Sequence, residues 1–565
     1  MPCKYPALTD KRTCISVRVA QTTRLKRRML AKGHLYFAVL LFLLKRATET
    51  RCTSGSNFLV VFPENIAYFY PEEPHNQLHV TALHDNTKVT VAIRQQTHTE
   101  ILVKAQTRRF FSYGTTELGR ENVSDKVLRV SSTRQVTVQV VSVKAGSVQS
   151  ARVLPVDALG TEYLVPRVPE NQNTTQPPDV VCAYMTEFAP FRLIVVNAEK
   201  VNTVSLEGDN ITKEVELEPH HAAQFWLGGN EVWRVVRAKH PVAVLFGHPC
   251  AATLNCGCSM LYVTLNPKPH GKMAFLVPPL LSQASEDQTA LLLSQEDASS
   301  VDSSYPGWPL LELSGIAVLH RPGLLLPLIP QSELASCYVV NAIPDVYNFA
   351  VILVHKDLAT GVRVGSSPLE DPTWLTLTGT DYVSTVVTLS LDSAIWHTSD
   401  KMAVYYIGQK GGVLFGNPAP AISQTSDYRG CVLSPDVWEI GSEALGWQES
   451  IKFCRDRNLR LVSLSSLQLM EQVQVRVRQG YTGDSVPRRA WIGLRRSTLT
   501  GAWYWIDRAP FTVSNWQGGK PEDTHGGHCG TINLEPSQDF GWSHEDCCQD
   551  VHPICYREPQ LFTTQ

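Results

Sequence analysis

Charge is scarce in this sequence: Lys, Arg, Asp and Glu make up 18% of its 565 residues, and the net charge is −2. Soluble globular chains usually carry nearer a quarter. The near balance excludes a nucleic-acid scaffold and a polybasic membrane binder, both of which need a dominant positive field. Long apolar runs are also few. The clearest, Leu35–Leu44, is short against the ~20 residues that span a bilayer, so no firm membrane span is expected. Catalytic signatures are missing. No nucleophile elbow, phosphate-cradling glycine loop, paired helix histidines or metalloprotease motif stands in a context that would serve it. The chain therefore reads as a non-enzyme. Helix-period segments are scarce before residue 447.

What is present begins with a compartment signal. Arg24, Lys26, Arg27 and Arg28 precede Met29 and the Leu35–Leu44 run, the pattern of a secretory signal peptide. Residues 1–47 read as a basic leader and signal peptide, with cleavage near Ala47 and Met29 as an alternative start. An uncleaved signal anchor is the second reading. Pro559–Gln565 carries no hydrophobic tail of the kind a lipid anchor needs. Setting aside Cys3 and Cys14, six cysteines precede residue 425 and six follow it. Even counts in each half fit an oxidised, extracellular protein with disulfides inside its domains. Asn122-Val-Ser, Asn173-Thr-Thr and Asn210-Ile-Thr are N-glycosylation sequons.

From Asn57 the chain turns β-rich. Phe58–Phe62 is apolar, and Leu78–Leu83, Lys88–Ile93 and Val136–Val141 alternate or are β-branched, which marks half-buried strands. Residues 53–420 are expected to be mainly β. Ser132–Ser142, Ala238–Gly247 and Thr398–Gly408 each run from a polar turn into an apolar strand. An earlier strand and an aromatic precede each, so three related β-sandwich-like units are expected. Residues 283–304, rich in Ser, Asp, Glu and Gln, read as a mobile surface insertion. Residues 416–427 read as a short stiff linker. Cys250, Cys256 and Cys258, with His248 and His270, have the composition of a metal cluster. In a secreted chain, disulfides are the favoured reading for such close cysteines. Cys52, Cys182 and Cys337 are further disulfide candidates, with partners left open.

Residues 427–557 have a different grammar. Trp447, Ile451 and Cys454 fall at helical spacing. Ser465 with Gln468 suits a capping box for a second helix, along which Leu467, Met470 and Val473 follow at intervals of three before a stop at Gly480. Trp491-Ile-Gly-Leu suits a buried strand, and Trp503-Tyr-Trp, Cys529, Trp542, Cys547 and Cys555 close the stretch. This order and spacing resemble a C-type lectin-like domain, with an α+β fold. The resemblance implies disulfides Cys454–Cys555 and Cys529–Cys547, which leaves Cys431 and Cys548 to pair with each other or elsewhere.

In sugar-binding members of that family, Glu-Pro-Asn and Trp-Asn-Asp triplets hold a calcium ion that the sugar hydroxyls complete. Here the triplets land on Lys520-Pro521-Glu522 and Trp542-Ser543-His544, and a further family acid lands on Gly527. Calcium takes six to eight oxygen ligands. An ammonium has no lone pair to give, and a glycine has no side chain to offer. The usual calcium-dependent sugar site is therefore not expected, and no cofactor is implied. Lys520, Glu522, Asp523, His544 and Glu545 are the candidate ligand-binding residues, within a polar group that includes His525, His528 and Asp546.

A second resemblance covers about residues 55–420. Asn57–Glu73, Gln77–Ala82, Pro241–Cys250 with Cys256 and Cys258, and Pro278–Leu281 look like the N-terminal module of IgG Fc-binding proteins of mucus. The two resemblances imply a secreted binding protein with a glycan or protein ligand. The alternative is a receptor-like protein for immunoglobulin or a mucus protein.

Overall fold

A computed structural model describes residues 53–66, 73–112, 116–144, 146–167, 191–227, 232–252, 258–282, 290–295, 309–321, 323–480, 487–519, 527–535 and 540–562. The leader, Cys52, Asn173, Cys182, Cys256, Lys520, Glu522, Asp523 and His525 lie outside these residues. Two compact units are found, one within Lys45–Leu433 together with the residues after Gln560, the other within Ser434–Gln560. No helix among the described residues is long and apolar enough to cross a membrane.

The first unit is all β, and one strand plan recurs along it. β1 (Gly55–Val60), β2 (His75–Ala82) and β3 (Thr87–Ile93) all pair with the 17-residue β7 (Leu128–Lys144). β4 (Gln96–Leu102) pairs with β3, β5 (Thr107–Ser112) with β2, and β8 (Ser147–Val153) with the end of β7. The short β6 (Val123–Ser124) crosses to the next sheet. There, β9 (Gly160–Leu164), β10 (Phe191–Asn197) and β11 (Asn202–Gly208) pair with the 20-residue β14 (Trp233–Ala252). β12 (Thr212–Leu217) pairs with β11, β13 (Ala222–Leu227) with β10, and β15 (Cys258–Thr264) with the end of β14. The order of pairing is the same in both sheets.

A group of five strands follows: β16 (Met273–Leu276), β17 (Ala290–Gln295), β18 (Leu310–Leu313), β19 (Gly315–Arg321) and β20 (Leu324–Pro327). Then the plan returns with its long strand broken. β21 (Cys337–Val340), β22 (Tyr347–His355), β23 (Val362–Val364), β24 (Ser367–Pro368), β25 (Leu375–Thr376) and β26 (Tyr382–Leu389) lead to β27 (Ser393–His397) and β28 (Ala403–Lys410). β21 and β23 pair with β27, β22 pairs with β26 and β28, and β29 (Val413–Pro418) pairs with β28. β30 (Ala421–Ser423) flanks β21. The break has a visible cause. One ring nitrogen of His397 accepts the N–H groups of Ser399 at 3.1 Å and Asp400 at 2.8 Å, and the other bonds the Leu358 carbonyl at 2.8 Å. This fixes a turn at the point where β7 and β14 run on.

Two matching entry segments precede β9 and β21. Leu154-Pro-Val-Asp-Ala-Leu-Gly160 and Ile329-Pro-Gln-Ser-Glu-Leu-Ala335 each hold a single 3-10 turn after the proline. In the first, the Tyr163 hydroxyl accepts from Gly160 N and donates to the Val242 carbonyl. In the second, the Tyr338 hydroxyl accepts from Ala335 N at 3.0 Å and donates to the Met402 carbonyl at 2.7 Å. Each buried phenol thus closes a strand corner and satisfies backbone groups that would otherwise be orphaned. Around these corners the inward faces of the strands bury Val, Leu and Phe side chains in continuous clusters, each worth roughly 1.5–3 kcal/mol when fully removed from water.

Three expectations are corrected in this unit. Residues 416–427 are not a linker: they include the end of β29 and all of β30, Asn417, Ala419 and Ile422 are buried, and Asn417 donates to the Ser150 hydroxyl at 2.8 Å. The stretch 283–304 is not wholly a surface insertion, because Ala290–Gln295 pairs along its length with β19 and buries Leu291 and Leu292. Cys431 does not pair with Cys548; it bonds Cys337, 94 residues earlier. The pairing crosses residue 425, so the division of cysteines into six and six does not mark the boundary between the units. Cys250 and Cys548 are disulfide-bonded as well.

The second unit is α+β. α1 (Trp447–Asp456) and α2 (Leu467–Gly480) accompany one mixed sheet. Its order is β31 (Val437–Ile440), β37 (His552–Arg557), β33 (Arg489–Arg496), β35 (Cys529–Asn533) and β36 (Trp542–Glu545), with β32 (Arg460–Leu461) on β37 and β34 (Trp503–Trp505) on β33. α1 buries Trp447 and Cys454. Reciprocal indole bonds fasten it, from Trp447 Nε1 to the Ile492 carbonyl at 2.9 Å and from Trp491 Nε1 to the Leu445 carbonyl at 2.7 Å. α2 is capped by Ser466, whose hydroxyl accepts from Leu469 N at 3.3 Å, and not by Ser465. Met470 and Val473 face the core, but Leu467 is 60% exposed. The disulfides Cys454–Cys555 and Cys529–Cys547 are both formed.

Candidate functional site

The edge of the second unit is where the candidate residues converge. β36 lies against β35 with Ile532 opposite Trp542, Thr531 opposite Ser543, Gly530 opposite His544 and Cys529 opposite Glu545. Alternation then sends Ser543 and Glu545 to one face, Trp542 and His544 to the other. On the first face, the Ser543 hydroxyl is within 2.8 Å of the Thr531 hydroxyl. The Glu545 carboxylate is held by the Arg489 guanidinium. Both side chains thus have a polar partner within the unit.

On the second face, aromatic rings take over. Trp503 packs on Trp516 with centroids 4.8 Å apart, and the His544 ring lies 6.3 Å from Trp503. Trp542 meets Trp505 and Trp516 edge-on at 5.3 and 5.9 Å, geometries that aromatic quadrupoles favour. The indole N–H groups of Trp505 and Trp542 are buried without a hydrogen-bond acceptor. Among the described residues, this layer is made of the Trp503, Trp505, Trp516 and Trp542 indoles with the His544 ring.

Gly527 sits where a side chain has no room. Its φ is +101°, a region that side chains rarely enter. A Cβ built there would stand 2.8 Å from the Glu545 carbonyl carbon and oxygen and 3.0 Å from Glu545 N. The backbone of the loop end rests directly on β36, so no side chain of any kind fits. Asp546 is also engaged, accepting from Cys548 N at 3.0 Å. His528 is exposed, and its carbonyl accepts from Arg496 N at 2.8 Å. Of the five candidate ligand-binding residues, His544 and Glu545 are brought to adjacent positions on opposite faces of β36. Lys520, Glu522 and Asp523 lie outside the described residues. Among the described residues no three His, Cys, Asp or Glu side chains gather as a metal site.

Arg489, Thr531 and Trp516 also belong to this edge and were not singled out in the sequence, while Trp503 was marked there only as part of the Trp503-Tyr504-Trp505 run. The alternation in Trp503-Tyr504-Trp505 was the available signal: the two tryptophans turn inward while Tyr504 is 43% exposed.

Known proteins resemble the two units separately. The family model "Lectin C-type domain" matches residues 443–557. C-type mannose receptor 2 of Homo sapiens is 28% identical over 116 residues, covering 20% of this chain and 7% of the receptor. C-type lectin domain family 17, member A, of Homo sapiens is 30% identical over 112 residues, 20% of this chain and 27% of that protein. The IgGFc-binding protein of Homo sapiens is 22% identical over 408 residues, 63% of this chain and 7% of that protein. The chain therefore spans only a small part of the length of these relatives.

Proposed function

From a C-terminal C-type lectin-like domain preceded by an IgGFc-binding-protein-like region, we propose that this chain is a secreted, non-enzymatic binding protein. Its lectin-like domain takes a glycan or glycoprotein ligand without a calcium bridge. The observation that carries the reading is the seat of Gly527: the loop backbone occupies the space of the acid, and Glu545, the neighbouring carboxylate, is committed to Arg489. Calcium needs several oxygens converging at 2.3–2.6 Å, whereas among the described residues Ser543 and Glu545 have partners within the unit and the opposite face of β36 is aromatic. N-glycans at Asn122 and Asn210 belong to the same reading, since both residues are exposed.

A glycan array probed with the full chain, first in calcium and then in chelator, tests this. Equal binding in both conditions, or no glycan signal together with capture of a protein ligand, is the expected result. Mannose or galactose binding that disappears with chelator would refute it. A second reading, in which immunoglobulin or a mucus protein is the partner, is favoured by the similarity of 63% of the chain to a protein named for IgG Fc binding. Pull-down of Fc by the full chain decides between them. Tethering through an uncleaved signal anchor is the alternative to secretion, and N-terminal sequencing of the mature protein separates the two.

A further inference from the structure

Within the first unit, Thr116–Val127 leaves the first sheet and straps the second to it. Leu118 N donates to the Phe62 carbonyl at 2.8 Å, and the Leu118 side chain is fully buried. Farther along, the side-chain amide of Gln224, on β13, donates to the Gly119 and Glu121 carbonyls, each at 2.8 Å. Gln224 N donates to the Asn122 carbonyl at 2.8 Å, and β6 pairs with β13. All of these bonds are lost together if the strap lifts.

The start of the strap holds two carboxyl groups with an uneven share of cations. Glu64 takes both arginines: Arg120 of the strap at 3.1 Å and the buried Arg192 of β10 at 2.6 Å. Glu117 is half-buried and feels the charge of Glu64. Its carboxyl receives the Asn76 amide from β2 at 3.4 Å and the Asn65 backbone N–H. Lys126 donates to the Glu117 backbone carbonyl at 2.8 Å, and Lys144 of β7 to the Asn65 carbonyl at 3.0 Å. Among the described residues, neither lysine closes an ion pair with the Glu117 carboxyl. From β15, Tyr262 also feels Glu117, but burial raises its phenol well above the neutral range. His248 of β14, which feels Arg192, is held down to about 4 and stays uncharged between pH 6 and 8. Burial raises Glu117 itself to about 7, so its charge changes within that range.

We propose that Glu117 is a proton-operated latch: as a neutral acid it keeps the strap seated, and its ionisation puts a second negative charge near Glu64 with no cation of its own and frees Thr116–Val127 from the sheets. Seated, the acid keeps its proton up to about 7; lifted into water, it returns to the ordinary 4.5. Opening is therefore linked to the loss of a proton. Its contribution to the closed form is complete below pH 4.5 and is lost as pH rises through 7, so the opening equilibrium should grow about tenfold between pH 6 and pH 8. Acid closes the strap and alkali loosens it.

Hydrogen–deuterium exchange of the full chain at pH 6 and pH 8, corrected for the intrinsic pH dependence of amide exchange, is the test. Peptides covering Thr116–Val127 and Ala222–Leu227 should be about tenfold less protected at pH 8 than at pH 6. Glu117→Gln, neutral at both values, should be protected equally at both. Should that variant fail to fold, a pH series on the parent chain serves in its place: opening should climb between pH 5 and 7 and level off above 7. Equal protection of the parent's strap at pH 6 and pH 8, the same loss in Glu117→Gln, or a climb that continues unchanged past pH 8 would overturn the proposal.

Discussion

Replacing Gly527 by Asp restores, in composition, the acid that sugar-binding relatives use. The structure predicts that it restores nothing else. A non-glycine residue at φ +101° costs roughly 1–2 kcal/mol in backbone strain. The new Cβ would also stand 2.8 Å from two backbone atoms of Glu545, and backbone cannot swing aside as a long side chain can. Overpacking of this kind costs roughly 1–3 kcal/mol. The sum, about 2–5 kcal/mol, is a melting shift of roughly 8–20 °C for a unit of this size. Differential scanning calorimetry of the full-length variant, following the transition of the lectin-like unit, measures it. Calcium titration of the same sample should show no heat of specific binding. A variant as stable as the parent that binds calcium and a monosaccharide together would refute the argument that backbone position, and not merely residue choice, closes the site.

Acid should destabilise the first unit. Burial holds His79, His248 and His320 down to about 4 from the usual 6.5. Each is neutral when folded and takes a proton when unfolded, so its contribution is complete above pH 6.5 and is lost as pH falls towards 4. Each is worth up to about 3 kcal/mol, and urea unfolding across that window should show the loss, with a smaller slope in His79→Gln. Glu117 works the other way. Burial raises it from 4.5 to about 7, so its contribution is present below pH 4.5 and is lost as pH rises through 7. Glu117→Gln should therefore raise the unfolding midpoint at pH 8 and leave it nearly unchanged at pH 4.5; an equal effect at both values contradicts the assignment. Tyr338→Phe removes the bond to the Met402 carbonyl and should cost about 1–3 kcal/mol in chemical unfolding.

Much of this was legible in the sequence, for reasons that can be named. Period-two alternation marked β2, β3 and β7 because each has one face in a core. Trp447, Ile451 and Cys454 marked α1 because a helix returns to the same side every three to four residues. The chemistry of the missing calcium ligands was also on the surface of the sequence, as Lys520, Gly527 and His544. What escaped was long-range. Pro418 and Pro420 give residues 416–427 the composition of a stiff linker, yet the Pro420 carbonyl accepts from Val339 N at 3.0 Å, a bond that only tertiary structure supplies. The acidic, Ser-rich surroundings of Ala290–Gln295 concealed a strand whose partner lies beyond the next stretch of polar chain. Cys337 and Cys431 lie 94 residues apart with other cysteines on either side, and spacing cannot choose among such partners. Ser465 and Ser466 are both good caps by residue type, and the direction of the chain entering α2 selects the second. The ion pair between Arg489 and Glu545 joins residues from different strands and had no local sign.

The central claim concerns the metal. Isothermal titration of calcium into the full, metal-stripped chain, with the ligand recovered from the glycan array or the Fc pull-down present and then absent, tests it most directly. The account predicts the same ligand affinity with calcium as with chelator and no stoichiometric calcium binding in the lectin-like unit. One calcium bound per chain, with ligand affinity rising as that site fills, would contradict it.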